Sequence, residues 1–272
     1  MSASIVFIGG GNMAAAIVGG LVKSAPAPSP SQIAVVELDD ARRQHLNTQY
    51  GVHTLPAADG TLATASLIVW AVKPQSFREA ALPVAPFGFQ ALHLSVMAGI
   101  RSDAIASAMG TDRVVRAMPN TPALIGQGIS GLFARPGVVD SDRERVEQVL
   151  RPVGECIWVD HERDLDAVTA LSGSGPAYVF YFIEAMMQAA AEMGLDAEKG
   201  KQLAIATFAG ASALARLSAD PPSVLRERVT SKGGTTQAAL TRLEQAGVKA
   251  AFVEALKAAQ KRAHQLGDEF SS

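Results

Sequence analysis

The sequence predicts an α/β domain built on a parallel-rich sheet, followed by an all-α domain. Three observations carry this reading. Short apolar, β-branched runs alternate with helical segments through the first half of the chain. A glycine turn joins the first such run to the first helix. From about Asp164 onward no convincing strand remains and helical segments follow one another. The division therefore falls into residues 1–163 and residues 164–272. With 272 residues, 48% of them hydrophobic, the chain is long enough for two cores.

Ile5–Ile8 is the first strand and Met13–Val22 the first helix. A Pro/Ser linker, Ala25–Ser31, leads to a second strand, Ile33–Leu38, and a polar helix, Asp40–Tyr50. Leu67–Val72 reads as a third strand, Ala91–Val96 as a fourth and Val114–Ala117 as a fifth, with Gly128–Phe133 and Cys156–Val159 as later strands. Strands alternating with helices imply a parallel sheet covered on both faces.

The second half reads as helices over Ala177–Met193, Lys199–Leu217, Ser223–Val229, Ala238–Ala246 and Val248–Leu266. Ser172-Gly173-Ser174-Gly175-Pro176 starts the first of these, with Ser174 or Gly175 as cap and Pro176 in the first turn. Along Ala177–Met193, Glu184, Gln188 and Glu192 form one narrow polar stripe. The rest is Val179, Phe180, Phe182, Ile183, Met186, Met187 and alanines, so the helix is expected to be buried on most sides. A helical domain of about a hundred residues is thin for that. Either a second subunit supplies part of the cover or the helix is sandwiched within one subunit.

Net charge is −2 with acids and bases interspersed, which argues against nucleic acid as partner and against a disordered acidic tail. Cys156 is the only cysteine, so no intrachain disulfide forms, and its strand setting reads as a buried inert thiol. No residue set reads as a metal site. Met1-Ser2-Ala3-Ser4 lacks the charged region of a signal peptide, and apolar runs such as Ser66–Val72 are too short to span a membrane. The expectation is a soluble cytoplasmic protein.

Ile5-Val6-Phe7-Ile8-Gly9-Gly10-Gly11-Asn12-Met13-Ala14 is a strand, a glycine turn and a helix start. It satisfies G-x-G-x-x-G/A with Gly9, Gly11 and Ala14, the dinucleotide-binding pattern. Gly9 permits the tight turn, Gly11 lets the backbone approach a pyrophosphate, and Ala14 lets helix pack on strand. The helix N-terminus turns its free N–H groups toward the phosphates. Glu37, at the end of the second strand, is placed to accept from both ribose hydroxyls, which favours NADH. Arg42 and Arg43 follow within a turn and offer a clamp for the 2′-phosphate of NADPH, so the two signals conflict. Ala71-Val72-Lys73-Pro74-Gln75, Ser95-Val96-Met97-Ala98-Gly99 and Arg116-Ala117-Met118-Pro119-Asn120-Thr121-Pro122 end successive strands on the edge where such sheets bind ligands. Lys73 reaches toward a phosphate or ribose there, and Asn120 is placed to bond a ligand or to hold its turn. Far downstream, Ser231-Lys232-Gly233-Gly234-Thr235-Thr236 is dense in backbone N–H groups and hydroxyls, a cradle for a small carboxylate.

These motifs, with Ser172-Gly173-Ser174-Gly175-Pro176-Ala177-Tyr178 between them, resemble those of pyrroline-5-carboxylate reductase, in order and over essentially the whole chain. The resemblance implies a Rossmann domain and a helical dimerisation domain. It implies reduction of 1-pyrroline-5-carboxylate to L-proline by NADPH or NADH, in homodimers often assembled into larger rings. Its cofactor contacts fall on Ile8, Gly9, Gly10, Gly11, Asn12 and Met13, on Ala71, Val72, Lys73 and Pro74, and on Val96, Met97 and Ala98. Its substrate contacts fall on Ser231 and on Gly234, Thr235 and Thr236, with Gly233 in the same turn, supplied by the neighbouring subunit. Lys232 departs from the family, which often has proline there; the lysine loosens the turn and adds positive charge.

The implied substrate is a cyclic imine bearing a carboxylate. Once protonated on nitrogen it is an electrophilic iminium and accepts hydride at C5 without a strong enzyme acid. No His, Asp or Glu stands in Ser231–Thr236, which fits that scheme. The Thr236 hydroxyl is expected either to steady the proton on the ring nitrogen, the catalytic role, or to cap the helix that follows. A rival reading is a β-hydroxyacid dehydrogenase, which commonly uses a lysine on the first long helix after its Rossmann domain, and Ala177–Met193 has none. A reductase of six-membered cyclic imines is a second enzymatic rival, and a dinucleotide sensor without turnover is a rival of a different class.

Overall fold

The structure is a computed structural model that describes residues 4–25 and 28–271. Met1–Ala3, and Pro26 and Ala27 of the expected linker, lie outside the described residues. By contacts the chain forms two compact units, residues 1–173 together with 259–272, and residues 174–258.

The first unit carries β1 (Ile5–Ile8), α1 (Asn12–Lys23), β2 (Ile33–Val36), α2 (Asp40–Tyr50), β3 (His53–Leu55) and β4 (Leu67–Trp70). Short helices α3 (Phe77–Ala81) and α4 (Ala85–Gly88) lead to β5 (Leu92–Ser95), α5 (Ser102–Met109), β6 (Val114–Met118) and β7 (Gly128–Ala134). Then come α6 (Asp140–Leu150), β8 (Gly154–Trp158) and α7 (Asp164–Val168). The strands form one eight-stranded sheet in the order β3-β2-β1-β4-β5-β6-β7-β8. Every residue of β1, β2, β4 and β5 is buried, the mark of parallel strands covered on both faces, and two core clusters lie on the two sides. The order reverses between β1 and β4, so a crevice opens beyond the carboxyl ends of those strands.

The structure corrects several expectations. It adds β3, so Leu67–Trp70 is the fourth strand and each later one moves up by one. The strands expected over Ile33–Leu38 and Leu67–Val72 stop at Val36 and Trp70, where the chain turns into the crevice. The last strand begins at Gly154 rather than Cys156. The sheet is not wholly parallel: β7 pairs antiparallel with β6 in the register Ala117↔Leu132. The amphipathic helices α5 and α6 are further additions, the latter hidden in the sequence because its surface is mostly charged around Val146, Val149 and Leu150. Cys156 is only half-buried, yet burial and Glu147 push its thiol up to about 11, so it is not a nucleophile at neutral pH.

The second unit is helical: α8 (Gly175–Glu192), α9 (Ala197–Leu217), α10 (Pro222–Arg228), α11 (Thr235–Gln245) and the start of α12 (Val248–Ser271), whose last turns belong to the first unit. Ser174 stands at the N-cap of α8 but its side chain makes no capping bond. Within the unit Phe252 packs edge-on against Tyr178 and Phe182. The expectation that α8 is covered on most sides fails within one chain, because Val179, Phe180, Tyr181 and Met186 are exposed. That face is therefore uncovered by the helices of its own unit.

A buried histidine makes the sheet pH-sensitive. Trp70 Nε1–H donates to His93 Nδ1 at 3.0 Å, and His93 Nε2–H donates to the Gly88 carbonyl at 3.1 Å. Burial pushes the imidazole down to about 4. Between the ordinary histidine value of about 6.5 and that folded value, the unfolded chain binds the extra proton and the folded one does not. The stabilisation is therefore complete above about pH 6.5 and is lost as pH falls toward 4, by up to about 1.4 kcal/mol per pH unit. Urea midpoints measured across that window are expected to fall less steeply for His93→Asn than for the parent; equal slopes would show that His93 does not set the dependence.

Candidate active site

At the carboxyl ends of β1 and β4 lies a cleft of about 590 Å³, lined by Ile8, Gly9, Gly11, Asn12, Glu37, Ala71, Val72 and Lys73 among others. It is the crevice at the switch point of the sheet, and it gathers residues that the sequence assigned to a dinucleotide. Gly9 has φ +99°, and a Cβ there would lie 2.8 Å from the carbonyl carbon and oxygen of Ala71. Only glycine permits both the conformation and the contact. A Cβ on Gly11 would meet nothing within 4 Å, so the space beside the turn is open. Gly11 is the N-cap of α1 and offers no side-chain capping bond. The first intrahelical donor is Ala15, bonding to Gly11 O at 2.9 Å, so the amides of Asn12, Met13 and Ala14 precede it.

Glu37 does more than line the cleft. One carboxylate oxygen accepts from Gly10 N–H at 2.7 Å and the other from Asp39 N–H at 2.9 Å. The side chain thus braces the glycine turn against the end of β2. Arg43 holds the same bend from outside, donating to the carbonyls of Glu37 and Leu38, each at 2.7 Å. It is committed to the protein's own backbone. Arg42 lines the cleft.

The other candidates distribute unevenly. Met13 packs against the core. Pro74 opens the short turn after Lys73. Val96, Met97 and Ala98 follow β5, with Met97 buried and Ala98 exposed. Asn120 Oδ1 accepts from Ile129 N–H at 3.0 Å, the turn-holding role. Ala57, Ala58, Ser76, Glu79 and Pro83 also line the cleft, and sequence reasoning missed them. The first two follow β3, whose short polar segment gives no strand signal, and the others lie a turn or more beyond Lys73.

In the second unit, Gly234 N–H donates to Ser231 O at 3.0 Å and Gly233 N–H to the side chain of Gln237. Gly233 has φ +75°. The donors of both glycines therefore hold the turn itself. α11 begins after Gly234, which supplies no side-chain cap, and its first intrahelical donor is Ala238, bonding to Gly234 O at 3.1 Å. The amides of Thr235, Thr236 and Gln237 are thus the ones a carboxylate can use. Thr236 is the second residue of the helix, so the expectation that it caps this helix is corrected: Gly234 occupies that position.

Residues 162–266 match the family model for pyrroline-5-carboxylate reductase dimerisation, and residues 4–99 match that for NADP oxidoreductase coenzyme F420-dependent. The chain is 38% identical to a pyrroline-5-carboxylate reductase of Pseudomonas aeruginosa over 97% of each chain. Its fold is similar to a pyrroline-5-carboxylate reductase from Coxiella burnetii at TM-score 0.90 and 36% identity, covering 98% of this chain and 99% of that one. It is also similar to Plasmodium falciparum pyrroline carboxylate reductase with NADP bound, at TM-score 0.86 and 26% identity, covering 97% and 98%. Among the described residues no cluster of His, Cys, Asp and Glu is set to hold a metal, and no helix is long and apolar enough to cross a membrane.

The bracing role of Glu37 separates from a selecting one in binding titrations. Glu37→Ala is expected to weaken NADH and NADPH together, by about tenfold for the lost charge-assisted bonds. Weakened NADH with improved NADPH would instead mark the carboxylate as a selector.

Proposed function

Since the chain belongs to the pyrroline-5-carboxylate reductase family, we propose that its Ser231–Thr236 turn holds the substrate carboxylate and that the cleft at Gly9 and Gly11 holds the nucleotide. The activity is the NAD(P)H-dependent reduction of 1-pyrroline-5-carboxylate to L-proline, the last step of proline biosynthesis. The protein is an oxidoreductase and a homo-oligomer. The exposed apolar face of α8 supports a dimer formed through the helical unit. A cytoplasmic setting is proposed from the likeness to bacterial pyrroline-5-carboxylate reductases.

One observation carries the substrate assignment. α11 starts on a glycine without a side-chain cap, and the hydroxyl-bearing residues Ser231, Thr235 and Thr236 flank its unpaired first-turn amides. That combination suits a small carboxylate, through hydrogen bonds and through the positive end of the helix dipole. A bound reduced nicotinamide supplies the hydride. The chain's own part is to orient the imine and to keep its nitrogen protonated. The Thr236 hydroxyl suits the latter role, because it accepts from the iminium N–H and so favours the electrophilic form. No carboxylate or imidazole is required in the turn, and Ser231–Thr236 has none.

For the nucleotide we propose a preference for NADPH. Glu37 spends one acceptor site of each oxygen on bracing backbone N–H groups, and Arg43 is held on carbonyls and on Asp40. Arg42 remains to meet a 2′-phosphate.

Thr236→Ala is expected to lower kcat/KM for pyrroline-5-carboxylate about ten- to a hundredfold with the nucleotide KM unchanged. Unaltered kinetics in steady-state NADPH oxidation would remove Thr236 from the mechanism. Arg42→Ala is expected to raise the KM for NADPH about tenfold and leave that for NADH alone. Equal effects on both would show that Arg42 does not read the phosphate.

A further inference from the structure

Residues 96–101 connect β5 to α5 and have few hydrogen bonds of their own. Val96 N–H donates to Trp70 O at 3.0 Å, and Met97 N–H to the Ser95 hydroxyl at 3.3 Å. Past Met97 the loop is shaped by what packs on it. Gly99 has φ +78°, and a Cβ there would lie 2.9 Å from Cδ2 of Phe270, near the end of α12. The ring itself packs against the core cluster on that side of the sheet. Arg101 forks onto Asp166, with Nη1–Oδ1 at 3.3 Å and Nη2–Oδ2 at 3.2 Å. His264 of α12 joins them, its Nδ1 lying 3.3 Å from both Asp166 Oδ2 and Arg101 Nη2. Gly267 passes so close to the guanidinium that a Cβ there would collide with Nη2. At the far end of the loop, Glu162 accepts from the Ser102 N–H at 2.7 Å and from its hydroxyl at 2.6 Å.

We propose that the last turns of α12 are a strap that sets the loop Val96–Ala98 against the nicotinamide, with Phe270, Arg101 and His264 as positioning residues. It rests on the reading, implied by the family resemblance, that the loop beyond β5 meets the cofactor: β5 runs parallel to β4, so the loop leaves the sheet on the cleft's edge, with Met97 buried beneath it and Ala98 exposed. The physical basis is the freedom of Gly99. A left-handed glycine in a loop with so few hydrogen bonds has many backbone states. The Phe270 ring fills the space into which Gly99 would move, and the Arg101–Asp166–His264 cluster holds the end of the loop. The strap therefore selects one loop conformation before the cofactor arrives, which lowers the ordering cost of binding.

The test uses the full chain with Phe270→Ala, Phe270→Leu and Ala98→Leu. The readouts are NADPH affinity by fluorescence titration, KM for pyrroline-5-carboxylate, and amide hydrogen exchange in residues 96–101. Phe270→Ala is expected to weaken NADPH about five- to tenfold and to speed exchange in that loop, with the substrate KM unchanged. Phe270→Leu, which keeps an apolar side chain on Gly99, is expected to restore most of the affinity. If Ala98→Leu weakens NADPH but Phe270→Ala changes neither affinity nor exchange, the strap is overturned while the cofactor reading stands. If Ala98→Leu leaves NADPH binding unaltered, the assignment of the loop to the nicotinamide falls and the proposal with it. A Phe270→Ala protein whose substrate KM rises as much as its nucleotide Kd has lost general stability, which also overturns the strap.

Discussion

Two helices of this chain begin on a glycine that gives them no side-chain cap. Gly11 opens α1 and Gly234 opens α11, and each leaves the amides of the first helical turn ahead of the first intrahelical donor. Such amides carry the positive end of the helix dipole and need an acceptor. The chain's own hydrogen bonds do not reach them, and an anion is the kind of acceptor that suits such a helix start. Much of the surrounding structure keeps these two openings in shape. Gly9 is pressed against the Ala71 carbonyl, and Glu37 commits both oxygens to the turn and to the bend after β2. At α11 the Gly233 and Gly234 amides bond within the turn, and those of Thr235 and Thr236 precede the first intrahelical donor.

A second layer of charge holds the loops at the sheet's carboxyl edge. Arg116 on β6 is almost fully buried and bonds Glu162 at 2.7 Å. Burial lowers its pKa and Glu162 opposes that shift. Breaking such a pair from one side costs about 3–5 kcal/mol, because the remaining charge is stranded. Glu162 also takes both donors of Ser102, so one carboxylate ties β6, the start of α5 and the segment after β8 together. Asp166, a turn further on, does the same for Arg101 and His264. Rigid loops at a cofactor edge have a direct functional value, since misplacement by about an ångström at the reacting atoms costs orders of magnitude in rate.

The helical unit follows a different logic. Its aromatic side chains pack in part on one another, as Phe252 does with Tyr178 and Phe182, yet Phe180 and Tyr181 of the same helix are exposed in one chain. Apolar exposure on that scale is a surface waiting for a second copy. The protein is a homo-oligomer, in keeping with that exposed face.

The central strands were legible because burial on both faces makes them unbroken apolar runs, as in Ile5–Ile8 and Leu67–Trp70. The glycine pattern was legible because backbone geometry leaves no other residue at Gly9. Edge strand β3 was not, since His53-Thr54-Leu55 is short and half solvated, and neither was α6 beneath its charges. The turn at Ser231–Thr236 was visible as a cluster of donors, but which amides bond within it is decided only in the folded turn. The same holds for Glu37, Asn120 and Phe270, whose partners are not their neighbours in sequence. Local conformation and apolar periodicity are properties of neighbouring residues, so the amino-acid order alone determined the class of fold and the chemistry-bearing turns. Which donor meets which acceptor is a property of tertiary distance, and only the packed structure decided it.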